Sequence, residues 1–193
     1  MSMEVSDYII RFFNQKYPFN QEGIAEFANA FLLQKESRHT LLIKPDQKDR
    51  KLRFLTKGIV RDYYTADDKE YNINFYTTPQ FITDFSSFDH DTSVRKWQEA
   101  LTDIELLVMP KSLFREFLEK YPCGEKFMQN IFRDMLEEKE HFEYLRMTYT
   151  PEQLYTYIIM YHPDWLQQLP QYHIASFLGI KPETLSRIRG RIS

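Results

Sequence analysis

Residues 170–193 read PQYHIASFLGIKPETLSRIRGRIS, and the rest of the chain is best read outward from them. Ile174 and Leu178 recur four apart and share one face of a helix, beside the small Ala175 where two helices can cross closely. Gly179 follows the last periodic residue, where a left-handed helix stop carries no Cβ penalty. Pro182 stands where a second helix would have its first turn and where a missing N–H is harmless. In that second helix, expected over residues 182–191, Leu185, Ile188 and Ile192 fall at i, i+3 and i+7 on an apolar face. Glu183, Ser186, Arg187 and Gly190 occupy another face at i, i+3, i+4 and i+7. The spacing predicts a helix-turn-helix, which lays the start of its second helix in the major groove of DNA. Arg187 suits O6 and N7 of guanine, Glu183 suits N4 of cytosine, and Ser186 suits either. Lys181, Thr184, Arg189 and Arg191 flank that stripe and suit phosphates, which hold register without reading sequence. Lys181 lacks the side-chain oxygen of a good N-cap, which weakens the helix start. An ordinary helical hairpin with a charged outer face is the competing reading. It leaves the coincidence of turn glycine, starting proline and segregated polar face unexplained.

The run IASFLGIKPETLSRIRGRI, residues 174–192, resembles the recognition segment of the Crp–Fnr superfamily of bacterial transcription regulators. Within it, Glu183-Thr184-Leu185-Ser186-Arg187 resembles the E-x-x-S-R signature of the Fnr-like branch. The likeness extends more loosely, in the right order, from about residue 19 onward. It implies that Glu183, Ser186 and Arg187 contact bases, on half-sites related to TTGA. A β-hairpin wing follows the recognition helix in that superfamily. Here the sequence stops at Ser193, so a DNA-binding domain lacking the full wing is expected.

Composition sets further bounds. The chain has 193 residues, enough for one or two domains, and 16% are aromatic. No run of eighteen apolar residues occurs, so no transmembrane helix is expected, and MSMEVSDYIIRFF has no signal-peptide cleavage pattern. Cys123 is the single cysteine, which fits a reducing cytoplasm and excludes a four-cysteine iron–sulfur cluster. Net charge is −3, yet Lys181, Arg187, Arg189 and Arg191 all lie in the last thirteen residues, a local basic stripe on an acidic chain.

Helical periodicity covers residues 4–16 and 20–36. The period then shortens to strand-like runs at 39–44, 52–56, 59–64, 71–76, 81–85, 94–101 and 104–109, separated by Pro, Gly and Asp turn signals. These predict a compact antiparallel β domain, and LTKGIVRDYY resembles the Gly-centred hairpin of the superfamily's double-stranded β-helix jelly roll. A short helix is expected over 111–120, a long one over 124–147 and another over 152–161. In the long helix Met128, Ile131, Met135, Phe142 and Leu145 follow a and d spacing, interrupted by Glu138. Packing on the chain's own β domain would account for part of that stripe; the resemblance implies a dimerisation helix.

The expected class is therefore α+β. Residues 1–122 form a cyclic-nucleotide-binding-like β-roll with N-terminal helices, 123–149 the long dimerisation helix and hinge, and 150–193 the helix-turn-helix domain. In nucleotide-binding members a cassette supplies a Gly-Glu pair for the ribose and an Arg-Ser/Thr pair for the cyclic phosphate. Here Thr83 and Asp84 stand for the first pair and Thr92 and Ser93 for the second, with Arg95 two residues on. Without the close approach that glycine allows and the charged grip of arginine, cyclic AMP is not expected. Trp97, Phe85, Phe88, Tyr63 and Tyr64 suit either a plain core or an apolar pocket. Neither a metal site nor a catalytic constellation is expected. The reading is a homodimeric cytoplasmic regulator that binds double-stranded DNA, acts with RNA polymerase and answers to an unidentified small-molecule effector or to none. The alternative is a ligand-binding or protein-interaction β-roll module with vestigial DNA binding, which the negative charge and the missing wing favour.

Overall fold

A computed structural model describes residues 5–16, 23–121 and 123–192. Helices α1 (Val5–Lys16) and α2 (Ile24–Asn29) precede strands β1 (Leu32–Glu36), β2 (Leu41–Ile43), β3 (Lys51–Lys57), β4 (Val60–Ala66), β5 (Lys69–Tyr76) and β6 (Gln80–Phe81). Helix α3 (Phe85–His90), β7 (Trp97–Ala100), β8 (Ile104–Pro110) and α4 (Lys111–Lys120) complete the β-roll. The strands form two antiparallel sheets, ordered β1-β8-β3-β6 and β2-β7-β4-β5. Leu55, Val60, Ala100, Ile104, Leu106 and Val108 pack between them. Alternation turns Leu52, Phe54, Leu107 and Met109 to the opposite face, where they meet Phe27, Phe85, Phe88 and Phe114 from the helices. The first sheet is thus buried on both sides, which is why Leu106 to Met109 is an unbroken apolar run.

Two turns explain the hairpins. Gly58 has φ 92, and a Cβ there would lie 2.5 Å from the Asp103 carbonyl oxygen, so no other residue fits. Asp67 and Asp68 have φ 50 and 58, which gives the two-residue turn whose twist matches the β4–β5 hairpin.

Several expectations are corrected. Residues 20–36 are not one helix: α2 ends at Asn29, and Leu32–Glu36 is a strand whose five residues pair with β8. Pairing with a distant strand has overridden the local helical pattern, as tertiary context does; residues 20–22 lie outside the described residues. Of the strand expected over 81–85 only Phe81 is extended, because Asp84 caps α3 by accepting from the Ser87 N–H. The strand expected over 94–101 shortens to β7.

Helix α5 (Cys123–Thr148) leads to α6 (Pro151–Tyr161), α7 (Pro163–Gln168), α8 (Gln171–Phe177) and α9 (Pro182–Ile192). A capping box between Thr150 and Gln153, with Pro151 in the first turn, starts α6. Helix α7 starts at Pro163, with that proline and Asp164 in its first turn. Leu154, Ile158, Trp165, Ile174, Ala175, Leu178, Leu185 and Ile188 form one core with Leu145 of α5 and with Ile59 and Phe75 of the roll. Two of the five residues of the expected dimer stripe are taken up by this packing. Leu145 is 1% exposed inside that core, and Phe142 packs on it, stacked on Trp165. Side chains of Met128, Ile131 and Met135 lie outside the described residues. Among the described residues of α5, Leu136, Tyr144 and Met147 are the exposed large apolar ones. Among the described residues no helix is long and apolar enough to cross a membrane.

Candidate nucleic-acid interface

The helix-turn-helix is built as its residues require. Gly179 has φ 68; its N–H bonds to the Ser176 carbonyl at 3.1 Å and the Ile180 N–H to the Ala175 carbonyl at 3.0 Å. That bond pair closes α8 with a left-handed stop, and Ile180 packs onto the helical core behind it. The Lys181 carbonyl accepts from the Thr184 and Leu185 N–H groups, so α9 begins from a backbone cap without a side-chain oxygen.

Helix α9 turns Leu185 and Ile188, 1% and 3% exposed, into the core. Glu183, Ser186, Arg187 and Gly190 are exposed together on the outside. The third apolar residue, Ile192, is 38% exposed and lies beyond the packed face. Arg187 donates to Thr184 Oγ1 at 3.4 Å, which holds the guanidinium along the helix, and makes Thr184 a half-buried support residue. Lys181 and Arg189 are exposed, and Arg191 lies 3.4 Å from Glu152 of α6. The surface offers a carboxylate, a hydroxyl and a guanidinium in one stripe, flanked by cations.

Sequence reasoning missed how α8 is held. On β4 and β7, Arg61 faces Glu99 and Tyr63 faces Trp97 across the ladder. A register shift between Asp62 and Tyr63 brings Asn72 of β5 to the same outer face. There the Arg61 guanidinium donates to Glu99 Oε2 at 2.6 and 3.0 Å and to Asn72 Oδ1 at 3.1 Å, and lies 2.6 Å from Glu70. His173 of α8 completes the group: its Nδ1 is 3.2 Å from Asn72 Nδ2 and 3.4 Å from Arg61 Nη1. Ser176 Oγ accepts from the Asn72 N–H and donates to the Glu70 carbonyl. Arg146 of α5 lies over the Phe177 ring and donates to the Asn72 and Ile73 carbonyls. Burial first, then Arg61, pushes the His173 imidazole down to about 4. The available signal was strand alternation, which places Arg61 and Tyr63 on one face of a strand with no charge partner nearby in sequence.

The family model described as the cyclic nucleotide-binding domain matches residues 34–121. FixK2 from Bradyrhizobium japonicum superposes with a TM-score of 0.70 at 14% identity, over 84% of each chain. The c-di-GMP responsive global regulator CLP of Xanthomonas campestris gives 0.67 at 14% identity, over 90% of this chain and 91% of its own. A proposed crp/fnr-family transcriptional regulator from Eubacterium rectale gives 0.69 at 12% identity, over 92% of this chain and 85% of its own. This is the Crp–Fnr fold. No curated protein matches the chain in sequence.

Within that fold the five candidate effector-pocket residues differ in exposure and in the bonds they make. Thr83 is 3% exposed, and its hydroxyl accepts from the Arg53 N–H at 2.7 Å. Asp84 caps α3, while Thr92, Ser93 and Arg95 are exposed. Lys96 reaches inward, 2.5 Å from Asp62 and 3.4 Å from Asp84. Tyr76 and Gln98 donate to the remaining Asp62 positions. Burial alone would lower the Lys96 pKa, but Asp62, Tyr76 and Asp84 together raise it well above its ordinary value, so the amine is an ammonium. Alternation could have found it, since Val94, Lys96 and Gln98 share a face. The five aromatics also separate. Phe85 and Phe88 belong to the core under α4, Tyr63 stacks on Trp97 outside the second sheet, and Tyr64 is exposed. Among the described residues no group of His, Cys, Asp and Glu could hold a metal ion.

Proposed function

We propose that this chain is a homodimeric DNA-binding transcription regulator whose α9 helices read successive major grooves of a near-palindromic site. The observation that carries this reading is the division of α9: Leu185 and Ile188 are buried, and Glu183, Ser186 and Arg187 stand together in solvent. Each of the three has a base-edge partner, and Lys181, Arg189 and Arg191 supply phosphate contacts around them. The second copy meets this one through the exposed face of α5. Leu136, Tyr144 and Met147, at 56%, 59% and 81% exposure, fall at i, i+8 and i+11 along one side of that helix.

The β-roll is not a receptor for a cyclic phosphate. Thr92 stands where the phosphate-gripping arginine of the cassette belongs, and the inward ammonium of Lys96 is already balanced by Asp62 and Asp84. The regulator acts in the cytoplasm, with RNA polymerase as the machinery it recruits or blocks.

Random-site selection with the purified chain tests the reading. Enrichment of an inverted repeat with half-site centres about 34 Å apart is expected. Absence of any enriched repeat would favour the ligand-binding or protein-interaction module.

A further inference from the structure

We infer that His173 is an acid-sensitive latch between the helix-turn-helix and the β-roll, closed by a neutral imidazole and released when the ring takes a proton. The hydrogen-bond pattern requires this. Asn72 Oδ1 accepts from Arg61 Nη1, and Asn72 Nδ2 donates to the His173 carbonyl at 3.2 Å, so the amide cannot be flipped without opposing like groups. Both Asn72 Nδ2 and Arg61 Nη1 then present hydrogens to His173 Nδ1. That nitrogen must accept, and the ring proton must sit on Nε2. A second proton on Nδ1 would set donor against donor and cation against guanidinium inside a joint where Arg61, Asn72, Glu99 and His173 are each under 9% exposed.

Other charged and titratable groups face the ring from every element packed around it. Arg61 and Tyr63 come from β4, Glu70 from β5, Glu99 from β7, Arg38 and His39 from the turn before β2, Arg146 from α5 and Tyr172 from α8 itself. Glu99 is the nearest counter-charge, but it is committed to Arg61 and to His39, whose Nδ1 lies 2.9 Å away. Burial would raise the Glu99 pKa, yet those two bonds hold it below its ordinary value, so its charge persists through mild acid. Only the proton on His173 opens the joint.

The direction follows by linkage. Above the ordinary imidazole value of 6.5 both the docked and the released states hold a neutral ring. Below it the released state takes up the proton first, and docking weakens about tenfold per pH unit toward pH 4. Since α9 follows α8 directly through the Gly179 turn, release frees the recognition helix from the roll. This inference does not depend on DNA binding.

Hydrogen exchange of the full-length chain, corrected for intrinsic rates, tests it at residues 70–76 and 171–178. Between pH 7.5 and 5.5 the opening equilibrium there should rise about tenfold. His173→Gln, which keeps an uncharged acceptor, should show no pH response, and His39→Gln should follow the native chain. An unchanged native opening equilibrium, or His173→Gln tracking the native response, would overturn the latch. NMR titration of the native imidazole needs no variant: a midpoint near 4 supports the latch, and a midpoint at 6.5 overturns it.

Discussion

Gly58 and Gly190 show how differently one residue type can be constrained in this chain. A Cβ at Gly58 would collide with the Asp103 carbonyl, in a backbone that side chains rarely adopt. Gly58→Ala should therefore destabilise the roll by about 1–3 kcal/mol in urea unfolding. Gly190 lies within α9, and a Cβ there meets nothing within 4 Å. Gly190→Ala should stabilise the chain by up to about 1 kcal/mol, from helix propensity alone. Lys96 is the opposite kind of constraint. Replacing it with Met leaves Asp62, 1% exposed, without its cation, a loss of about 3–5 kcal/mol by the same measurement. Glu183, Ser186 and Arg187 were legible in the sequence because one helix sets their mutual geometry. Asn72, Glu99 and His173 were not, since strands far apart in sequence bring them together.

Elements were legible where their signals were local. The Gly179 stop, the Pro182 start and the Asp67-Asp68 turn all act within a few residues, and the structure has each of them. Strand β1 was misread as helix because only its pairing with β8 makes it extended. Helix α5 was found, and Phe142 and Leu145, two of its five stripe residues, pack within the chain, as the competing reading allowed. The apolar spacing of Phe142 and Leu145 is satisfied at home against Trp165 and the helical core, while Leu136, Tyr144 and Met147 remain outside. Periodicity shows that a face is apolar, and not which neighbour covers it. Pairing through α5, as proposed, predicts that the double change Leu136→Glu with Met147→Glu gives a monomer in sedimentation, with little change in the urea midpoint. Phe142→Ala should do the reverse: oligomeric state is kept, and stability falls by about 3–5 kcal/mol.

At the scale of the molecule, the roll and the helix-turn-helix share one core through Ile59, Phe75 and Leu145, with a polar joint at Arg61, Asn72 and His173 beside it. Apolar contact supplies adhesion, and the polar joint fixes a single docked geometry. Docking still leaves the outer stripe of α9 facing solvent, free to meet a duplex. Phosphate contacts from Lys181, Arg189 and Arg191 should make binding fall with salt, whereas discrimination between sequences should rest on three side chains. The most direct test is an anisotropy series with native chain and Arg187→Ala, on the selected operator and on operators altered one base pair at a time. Reading by α9 predicts a loss of about 1–3 kcal/mol for Arg187→Ala on the operator, with preference relaxed at a single guanine. An equal loss on every duplex, with that preference intact, would make Arg187 a phosphate contact and contradict the account.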